Sequence, residues 1–287
     1  RYCSLPRRFG RREKRMADAA ANLPVYPTPE EVLKPVAPHD SLTFEELAQR
    51  YNYKLTSDRR VVFARLLLQE LARRPRPCTA LDIGCGSGFS KGPEFTWALS
   101  RSFDEMWGIE PDPTVPIDPR FFKNVQRCLL EDAQLPINHF DVVYAFLVME
   151  HVANPRAFMQ AVHRCLKPGG AFFFLTPNGR HYFTRIASAL HAIKLDEIVL
   201  RMVRGKTVES YHYPVTYSFN TPRQINNAID GLGFEDPRYL FIESIGPRSY
   251  FPGPLKPFYW LMTLKRQRIH NPKCLLDMIG CIRKPAR

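Results

Sequence analysis

The stretch ALDIGCGSGFS, residues 80–90, decides the fold of this chain. Its first four residues form a short apolar run with one acid, which is typical of a central parallel strand. Gly84, Gly86 and Gly88 follow directly. Because glycine lacks a Cβ, such a turn accepts positive φ angles and lets a ligand lie against the main chain. The stretch therefore predicts a buried strand that enters a turn of the kind that borders bound nucleotides.

The spacing of the glycines separates two kinds of nucleotide site. A dinucleotide fingerprint, G-x-G-x-x-G, needs a third glycine at position 89, where this chain has Phe89. The pattern is instead D-x-G-x-G-x-G, which resembles motif I of the class I S-adenosylmethionine-dependent methyltransferases. The resemblance implies S-adenosyl-L-methionine as cofactor, bound by Asp82, Gly84, Cys85, Gly86 and Gly88. We interpret the cysteine as a small residue chosen for its size.

Two later segments match the same family in order. MWGIEPDP, residues 106–113, follows about 28 residues after Asp82, which is a typical βαβ step. In the family, the acid at this strand end accepts hydrogen bonds from both ribose hydroxyls, which implies that Glu110 and Pro111 border the sugar. LLEDAQLP, residues 129–136, resembles the loop that meets the adenine edge, which implies contacts from Asp132 and Ala133.

The next two segments extend the resemblance over roughly residues 78–178. FDVVYAFLVMEHV, residues 140–152, resembles the fourth strand and its loop, where Ala145 and Phe146 would pass the methionine end of the cofactor. LKPGGAFFFLTPN, residues 166–178, is typical of a helix end, a Pro-Gly-Gly turn and a fifth strand. Each segment alone has an ordinary structural explanation, and it is their joint order that favours the family.

The resemblance implies an α/β fold with a Rossmann-like, seven-stranded, mostly parallel sheet, an antiparallel last strand and helices on both faces. Residues 239–245 and 275–283 are expected to be its last two strands. Residues 1–40 are predicted to be a flexible basic arm and a proline-rich linker, and residues 41–287 the methyltransferase domain. An insertion at about 179–220 is expected to shape the substrate pocket, because insertions at the carboxyl ends of parallel strands surround the ligand crevice. A second insertion, at about 246–272, is expected to cover the substrate, and contacts with a membrane surface or a dimer partner are its alternatives.

Two helices are predicted ahead of the glycine turn. Thr43 and Glu46 have capping-box spacing, and Ser57 is expected to open a longer helix toward Arg74. Tyr51 and Tyr53 lie between them, where the family often has a segment that folds over the cofactor. An apolar stripe on the longer helix predicts packing against the sheet, and it comprises Val61, Val62, Leu66, Leu67 and Leu71.

Methyl transfer from a sulfonium is an in-line displacement, so a base is needed only if the acceptor must lose a proton. His151 directly follows Glu150 after the fourth strand and is the first candidate, although a histidine here often orders the loop instead. His212 and Tyr213 are the next candidates, followed by His181. Metal-dependent relatives read E-x-x-E-H at this point, and this chain has Leu147 in place of the first glutamate. A hard cation binds less well without that carboxylate, because the site loses a charge and an oxygen ligand, so no metal is predicted.

The net charge of +13 invites a nucleic-acid hypothesis. However, residues 1–15 and 265–287 each hold +6, and the body of the chain holds only +1. Proteins that grip phosphates usually present a basic patch on the folded surface, so nucleic acid is possible as a partner but not favoured. The oligomeric state is left open.

The chain has no 18-residue apolar run, so a membrane span is not expected. Its seven cysteines show no C-x-x-C pair, which favours a reducing compartment. A cytoplasmic location is therefore expected. The arginine-rich N-terminal segment is also compatible with a transit peptide for organelle import, a disordered arm, or sequence upstream of an internal start at Met16.

The predicted function is methyl transfer from S-adenosylmethionine to a small or medium organic acceptor, at oxygen, carbon or nitrogen. Two alternatives stay open at this point. One is an RNA methyltransferase that uses the basic ends as a grip, and the other is a catalytically silent cofactor-binding subunit.

Overall fold

A computed structural model describes residues 24–35, 41–49, 58–86, 88–89, 92–181, 184–185, 215–243, 257, 260–261 and 275–286. Several predicted features lie outside these residues: the basic arm, Tyr51, Tyr53, Ser57, His212, Tyr213 and most of both insertions.

The described residues form one seven-stranded sheet. Its strands are Thr79–Ile83 (β1), Glu105–Ile109 (β2), Asn124–Gln126 (β3), Phe140–Phe146 (β4), Leu166–Pro177 (β5), Arg238–Ile242 (β6) and Asp277–Arg283 (β7). They are arranged in the order β3-β2-β1-β4-β5-β7-β6, and the pairs from β3 to β5 are parallel. β7 pairs antiparallel with both β5 and β6. This arrangement confirms the predicted Rossmann-like sheet with an antiparallel last strand.

The central strands β1 and β4 lie in the middle of the sheet because their residues are mostly apolar. Every residue of β1 and β4 is buried, as expected for near-continuous apolar runs in a parallel sheet that is covered on both faces. In the register of the sheet, Asp82 of β1 lies between Gly108 of β2 and Tyr144 of β4. The strand order reverses between β1 and β4, and open α/β sheets bind ligands at such a switch point.

Helices cover both faces of the sheet, as predicted. The helices bounded within the described residues are Pro29–Val32 (α1), Phe44–Gln49 (α2), Arg59–Ala72 (α3), Pro93–Ser100 (α4), Pro155–Cys165 (α5) and Pro222–Ile229 (α6). Apolar side chains of α2, α3 and α4 share one buried cluster with one face of the sheet, and those of α5 and α6 share a second cluster with the other face.

The two helices ahead of the glycine turn follow the sequence pattern with one correction. The Glu46 N–H donates to Thr43 Oγ1 at 3.2 Å and the Thr43 N–H donates to Glu46 Oε2 at 2.8 Å, which confirms the capping box. The apolar stripe of α3 is buried as predicted. However, Asp58 rather than Ser57 is the N-cap of α3, because its carboxylate accepts the Arg60 N–H.

The Pro-Gly-Gly sequence was predicted as a turn before the fifth strand, but it lies inside β5. This strand begins at Leu166, directly after α5. The pairing with β4 shifts register between Leu166 and Ala171, and Gly169 has a φ of +76°. Gly169 and Gly170 also exchange backbone hydrogen bonds with the chain after β7, at Lys284. The Pro-Gly-Gly stretch is irregular but stays in the sheet, because neighbouring backbone groups provide partners for its N–H and carbonyl groups.

Residues 24–35 belong to the predicted proline-rich linker, but they form ordered contacts with the domain. They contain α1, whose N-cap Thr28 forms a capping box with Glu31. Leu33 is buried, and the Tyr26 ring packs against Trp97 of α4. Apolar and aromatic residues among the prolines give this segment a surface to bury, so it packs on the domain.

In the part of the chain that the structure describes, no helix is both long enough and apolar enough to cross a membrane.

Candidate functional site

The glycine turn is fastened to the end of the neighbouring strand. The N–H groups of Gly84 and Cys85 donate to the carbonyl oxygen of Ile109 at 2.7 and 3.1 Å. Gly84 has a φ of +75°, and a Cβ at this position would lie 2.5 Å from Val148 Cγ2. The turn therefore requires glycine both for its backbone angle and for the close approach of the segment after β4.

The Glu110 carboxylate points into the glycine turn. Its Oε2 accepts the N–H of Gly86 at 2.9 Å, and its Oε1 accepts the N–H of Asp112 at 3.0 Å. A Cβ on Gly86 would lie 2.6 Å from Oε2 and 2.5 Å from Val115 Cγ1. Each carboxylate oxygen can accept a further hydrogen bond, so the group is oriented by the backbone and can still accept from a sugar diol. These residues fit the adenosyl part of the predicted cofactor.

Asp82 lies beneath the turn and is only 3% exposed. Burial raises the pKa of its carboxyl well above the usual range, and the nearby Glu110 raises it further, while a hydrogen bond with the Tyr144 hydroxyl acts in the opposite direction. Burial thus disfavours the charged form of the Asp82 carboxyl at the end of β1.

Cys85 is buried, and its Sγ lies 2.5 Å from the position that a Cβ on Gly108 would take. Burial raises the pKa of its thiol, so the nucleophilic thiolate does not form near neutral pH. This environment is that of a small packing residue, which agrees with the interpretation that Cys85 was chosen for its size.

Phe89 occupies the place where a dinucleotide fingerprint has its last glycine, and sequence reasoning assigned it no role. Its ring is 1% exposed and stacks on Phe146 with a centroid distance of 4.5 Å and an interplanar angle of 4°. It also packs edge-on against Phe63 and stacks on Phe95. The ring of Phe146 thus faces an aromatic cluster, and contact of Ala145 and Phe146 with the cofactor stays a prediction.

The predicted adenine loop forms a short 3-10 turn, Leu130–Asp132. Asp132 is exposed and Ala133 is buried. The Ala133 N–H donates to the Leu130 carbonyl oxygen at 3.2 Å, so it already has a partner within the turn. Contact of these two residues with adenine stays a prediction, as does the contact of the half-buried Pro111 with the sugar.

The segment after β4 lies beside the glycine turn, because Val148 contacts Gly84. Leu147 has a φ of +58°, a conformation that costs a non-glycine residue about 1 kcal/mol and that is often found at functional sites. His151 ends the 3-10 turn Met149–His151 and is partly exposed. This places His151 at the same edge of the sheet as the predicted cofactor residues.

A second segment fixes this turn in a way that the sequence did not signal. The Thr216 N–H donates to the Glu150 carbonyl oxygen at 2.8 Å, and its hydroxyl donates to the Val152 carbonyl oxygen at 3.0 Å. The Ser218 hydroxyl donates to the same Val152 oxygen. The end of the first insertion therefore packs on the turn that presents His151.

The other predicted bases lie in different surroundings or outside the described residues. His181 is completely buried just after β5, where its backbone N–H donates to the Asn178 carbonyl oxygen at 2.9 Å. A fully buried side chain is poorly placed to meet an incoming acceptor. His212 and Tyr213 lie outside the described residues, so their roles stay predictions. Within the described ranges, no three His, Cys, Asp or Glu side chains come together in a group that could hold a metal ion.

Comparison with known proteins agrees with this geometry. Residues 55–236 match the model of a family described as "Methyltransferase domain". A ubiquinone biosynthesis O-methyltransferase from Methylobacterium nodulans is 30% identical over 177 residues, which is 56% of this chain and 62% of that protein. The mitochondrial ubiquinone biosynthesis O-methyltransferase of Mus musculus is 32% identical over 213 residues, 68% of this chain and 52% of that protein. The chain thus spans less than two thirds of the length of these relatives.

A solved structure, that of a candidate sarcosine dimethylglycine methyltransferase from Galdieria sulphuraria, has a similar fold. Its TM-score is 0.50 at 15% identity, over 86% of this chain and 93% of that one.

Proposed function

The chain belongs to the methyltransferase domain family of class I S-adenosylmethionine-dependent enzymes, and on this premise we propose that it methylates a hydroxyl oxygen of a small or medium organic acceptor. Family and cofactor agree with the motif-based prediction. The choice of oxygen, among the three acceptor atoms that the sequence left open, is supported by the relatives named O-methyltransferases at 30% and 32% identity.

The observation that carries the proposal is the carboxylate of Glu110 held against the glycine turn. S-adenosylmethionine, when bound, supplies an electrophilic methyl group on sulfur. Glu110 orients the sugar of this cofactor, and Gly84 and Gly86 allow Val148 and the Glu110 carboxylate to approach the turn closely. Such positioning is the larger part of catalysis for an in-line displacement, because it converts a bimolecular encounter into an aligned one.

A hydroxyl acceptor also gains from a base that removes its proton. We assign this role to His151, which the turn after β4 presents at the edge of the site, and His212 and Tyr213 are the alternatives. His151→Gln should lower methyl transfer strongly while leaving binding of S-adenosylhomocysteine within about twofold. Unchanged transfer would exclude His151 as the base.

Calorimetry with S-adenosylhomocysteine tests the site, and labelled S-adenosylmethionine with a panel of phenols and catechols tests the transfer. Gly86→Arg should abolish binding, because its side chain would occupy the space beside Glu110. Ile137→Arg is the control, since Ile137 is 70% exposed ahead of β4, at the opposite edge of the sheet from the glycine turn. Equal binding by both variants would refute the site, and label found only on nitrogen or carbon would refute the O-methylation.

We infer a cytoplasmic location and a small-molecule acceptor, with organelle import through the basic N-terminal segment as the alternative. Fractionation of cells that express the tagged full-length chain distinguishes the two locations. A steep loss of activity with salt would favour nucleic acid as the substrate. Cofactor binding without methyl transfer to any acceptor would favour the catalytically silent subunit.

A further inference from the structure

Residues 24–33 form a segment that we call the N-terminal strap. The strap contains α1 and ends at Leu33, which is buried and whose carbonyl oxygen accepts a hydrogen bond from Arg65 of α3. It is therefore fastened to the domain at its C-terminal end.

An aromatic and cationic cluster fastens the other end of the strap. The Tyr26 ring stacks on Trp97 with a centroid distance of 5.7 Å and packs against Phe121 at 5.3 Å. The Arg120 guanidinium lies 5.3 Å from the centroid of Tyr26 and 5.6 Å from that of Trp97, and it donates to the Pro24 carbonyl oxygen at 2.9 Å. Stacking and cation–π contacts of this kind are specific in geometry and each worth more than their buried area alone.

The partners of Tyr26 belong to the two elements that leave the candidate site. Trp97 is part of α4, which begins at Pro93 shortly after the glycine turn. Arg120 and Phe121 belong to residues 111–123, which follow Glu110 and contain no helix or strand. The strap therefore contacts both α4, which follows the glycine turn, and the loop 111–123, which follows Glu110.

A chain of contacts connects this loop to the glycine turn. Arg127 donates to the Asp112 carbonyl oxygen at 2.6 Å and to the Val115 carbonyl oxygen at 2.9 Å. Val115 Cγ1 in turn lies 2.5 Å from the Cβ position of Gly86, and the Asp112 N–H donates to Glu110. An irregular loop of this length is entropically costly to order, so contacts that order it in advance increase the affinity of a ligand that needs it ordered.

We propose that the N-terminal strap, through Tyr26 and Arg120, positions the 111–123 loop and thereby holds Glu110 and Val115 ready for the ribose of S-adenosylmethionine. Tyr26 and Arg120 are positioning residues, because they act through the loop and not on the reacting atoms. This role rests on the ribose-binding role given to Glu110 in the proposed function.

The test measures binding of S-adenosylhomocysteine and of its 2′-deoxy analogue to the full-length chain. The wild type should prefer the ligand with both hydroxyls by about tenfold, because a hydrogen bond to a charged group is lost in the analogue. Tyr26→Ala should bind S-adenosylhomocysteine about tenfold more weakly and lose most of this preference. Tyr26→Phe keeps the ring but loses the hydrogen bond that the Tyr26 hydroxyl donates to Asp118 of the same loop at 3.5 Å, so its affinity and preference should lie between those of the wild type and Tyr26→Ala.

Val25→Ser is the matched control, because Val25 lies in the strap beside Tyr26 and is 96% exposed. It should change neither affinity nor preference. The melting temperature of each ligand-free variant shows whether a loss of affinity comes from a loss of stability. Arg120→Ala provides a second variant if Tyr26→Ala does not fold. If these variants melt earlier but keep wild-type affinity and preference, the strap proposal is overturned alone. If the wild type binds both ligands equally, the role of Glu110 is overturned, and that of the strap with it.

Discussion

Glu150 is a buried carboxyl in the turn after β4. It follows β4, accepts a hydrogen bond from the Thr176 hydroxyl of β5 at 3.1 Å, and lies near Asp277 of β7. Burial, with a smaller contribution from the charge of Asp277, raises the pKa of Glu150 to about 7, although a backbone hydrogen bond, the Thr176 hydroxyl and the charge of Arg59 oppose the shift. The folded protein therefore holds a proton on Glu150 more tightly than the unfolded chain does.

This difference predicts a pH-dependent stability. A raised pKa in the folded state means that the contribution to stability is complete below the ordinary pKa of about 4.5 and is lost as the pH rises toward about 7. The free energy of unfolding should lose up to roughly 3 kcal/mol from this group across that window. Urea denaturation between pH 4.5 and 8 measures it.

Glu150→Gln supplies the control for that measurement, because it keeps the acceptor for Thr176 but does not titrate. Its free energy of unfolding should fall less than that of the wild type between pH 5 and 7. The same slope in both proteins would show that Glu150 is not the titrating group.

At the scale of elements, the glycine turn depends on an aromatic anchor. The turn passes from β1 toward α4, and Phe89 near its end inserts between Phe63 of α3 and Phe146 of β4. Glycines make the turn possible but do not hold it in place, since they have no side chains to pack. The anchor therefore converts a permissive backbone into one fixed conformation.

Phe89→Ala should lower the free energy of unfolding by about 3–5 kcal/mol, as expected for a buried aromatic that leaves a cavity. It should also weaken binding of S-adenosylhomocysteine, because the turn loses its attachment. Chemical denaturation and calorimetry on the same sample measure both effects. Phe89→Leu fills part of the cavity and should lose clearly less stability, and equal losses from the two variants would contradict the anchoring role.

At the scale of the whole molecule, an ion cluster joins the last strand to an early helix. Glu70 of α3 is 4% exposed and accepts two hydrogen bonds from Arg283 of β7, at 2.8 and 2.6 Å. Arg74 also pairs with the same carboxylate. Burial alone would raise the pKa of Glu70, but the hydrogen bonds from Arg283 and the charge of Arg74 lower it. The cluster fixes residues 213 positions apart in sequence.

Glu70→Ala should destabilise the fold by about 3–5 kcal/mol, because it leaves two partly buried guanidinium groups without their carboxylate. Lys123→Ala removes a cation from the exposed pair Lys123–Glu105, where the lysine is 66% exposed, and should cost less than about 1 kcal/mol. Thermal or urea denaturation compares the two variants. Similar losses would mean that the Glu70 cluster contributes no more than a surface pair.

The sequence alone determined the family and the sheet, and it located the glycine turn and the acid at the end of β2. Periodicity and glycine spacing are local properties, so β1, the glycine turn and the capping box of Thr43 could be predicted from neighbouring residues. The acid at the end of β2 was also predictable, because it follows the turn by one βαβ step. The roles given to His151, Asp132 and Ala133 stay predictions.

Only the tertiary structure decided what depends on residues far apart in the chain. The N-cap of α3 and the start of β5 shifted because backbone groups found other partners than the local pattern suggested. The burial of His181, the packing of Phe89 and the strap around Tyr26 each require a surface that another segment supplies. Such contacts arise from the close packing of side chains across the fold, which leaves no periodic signal along the sequence.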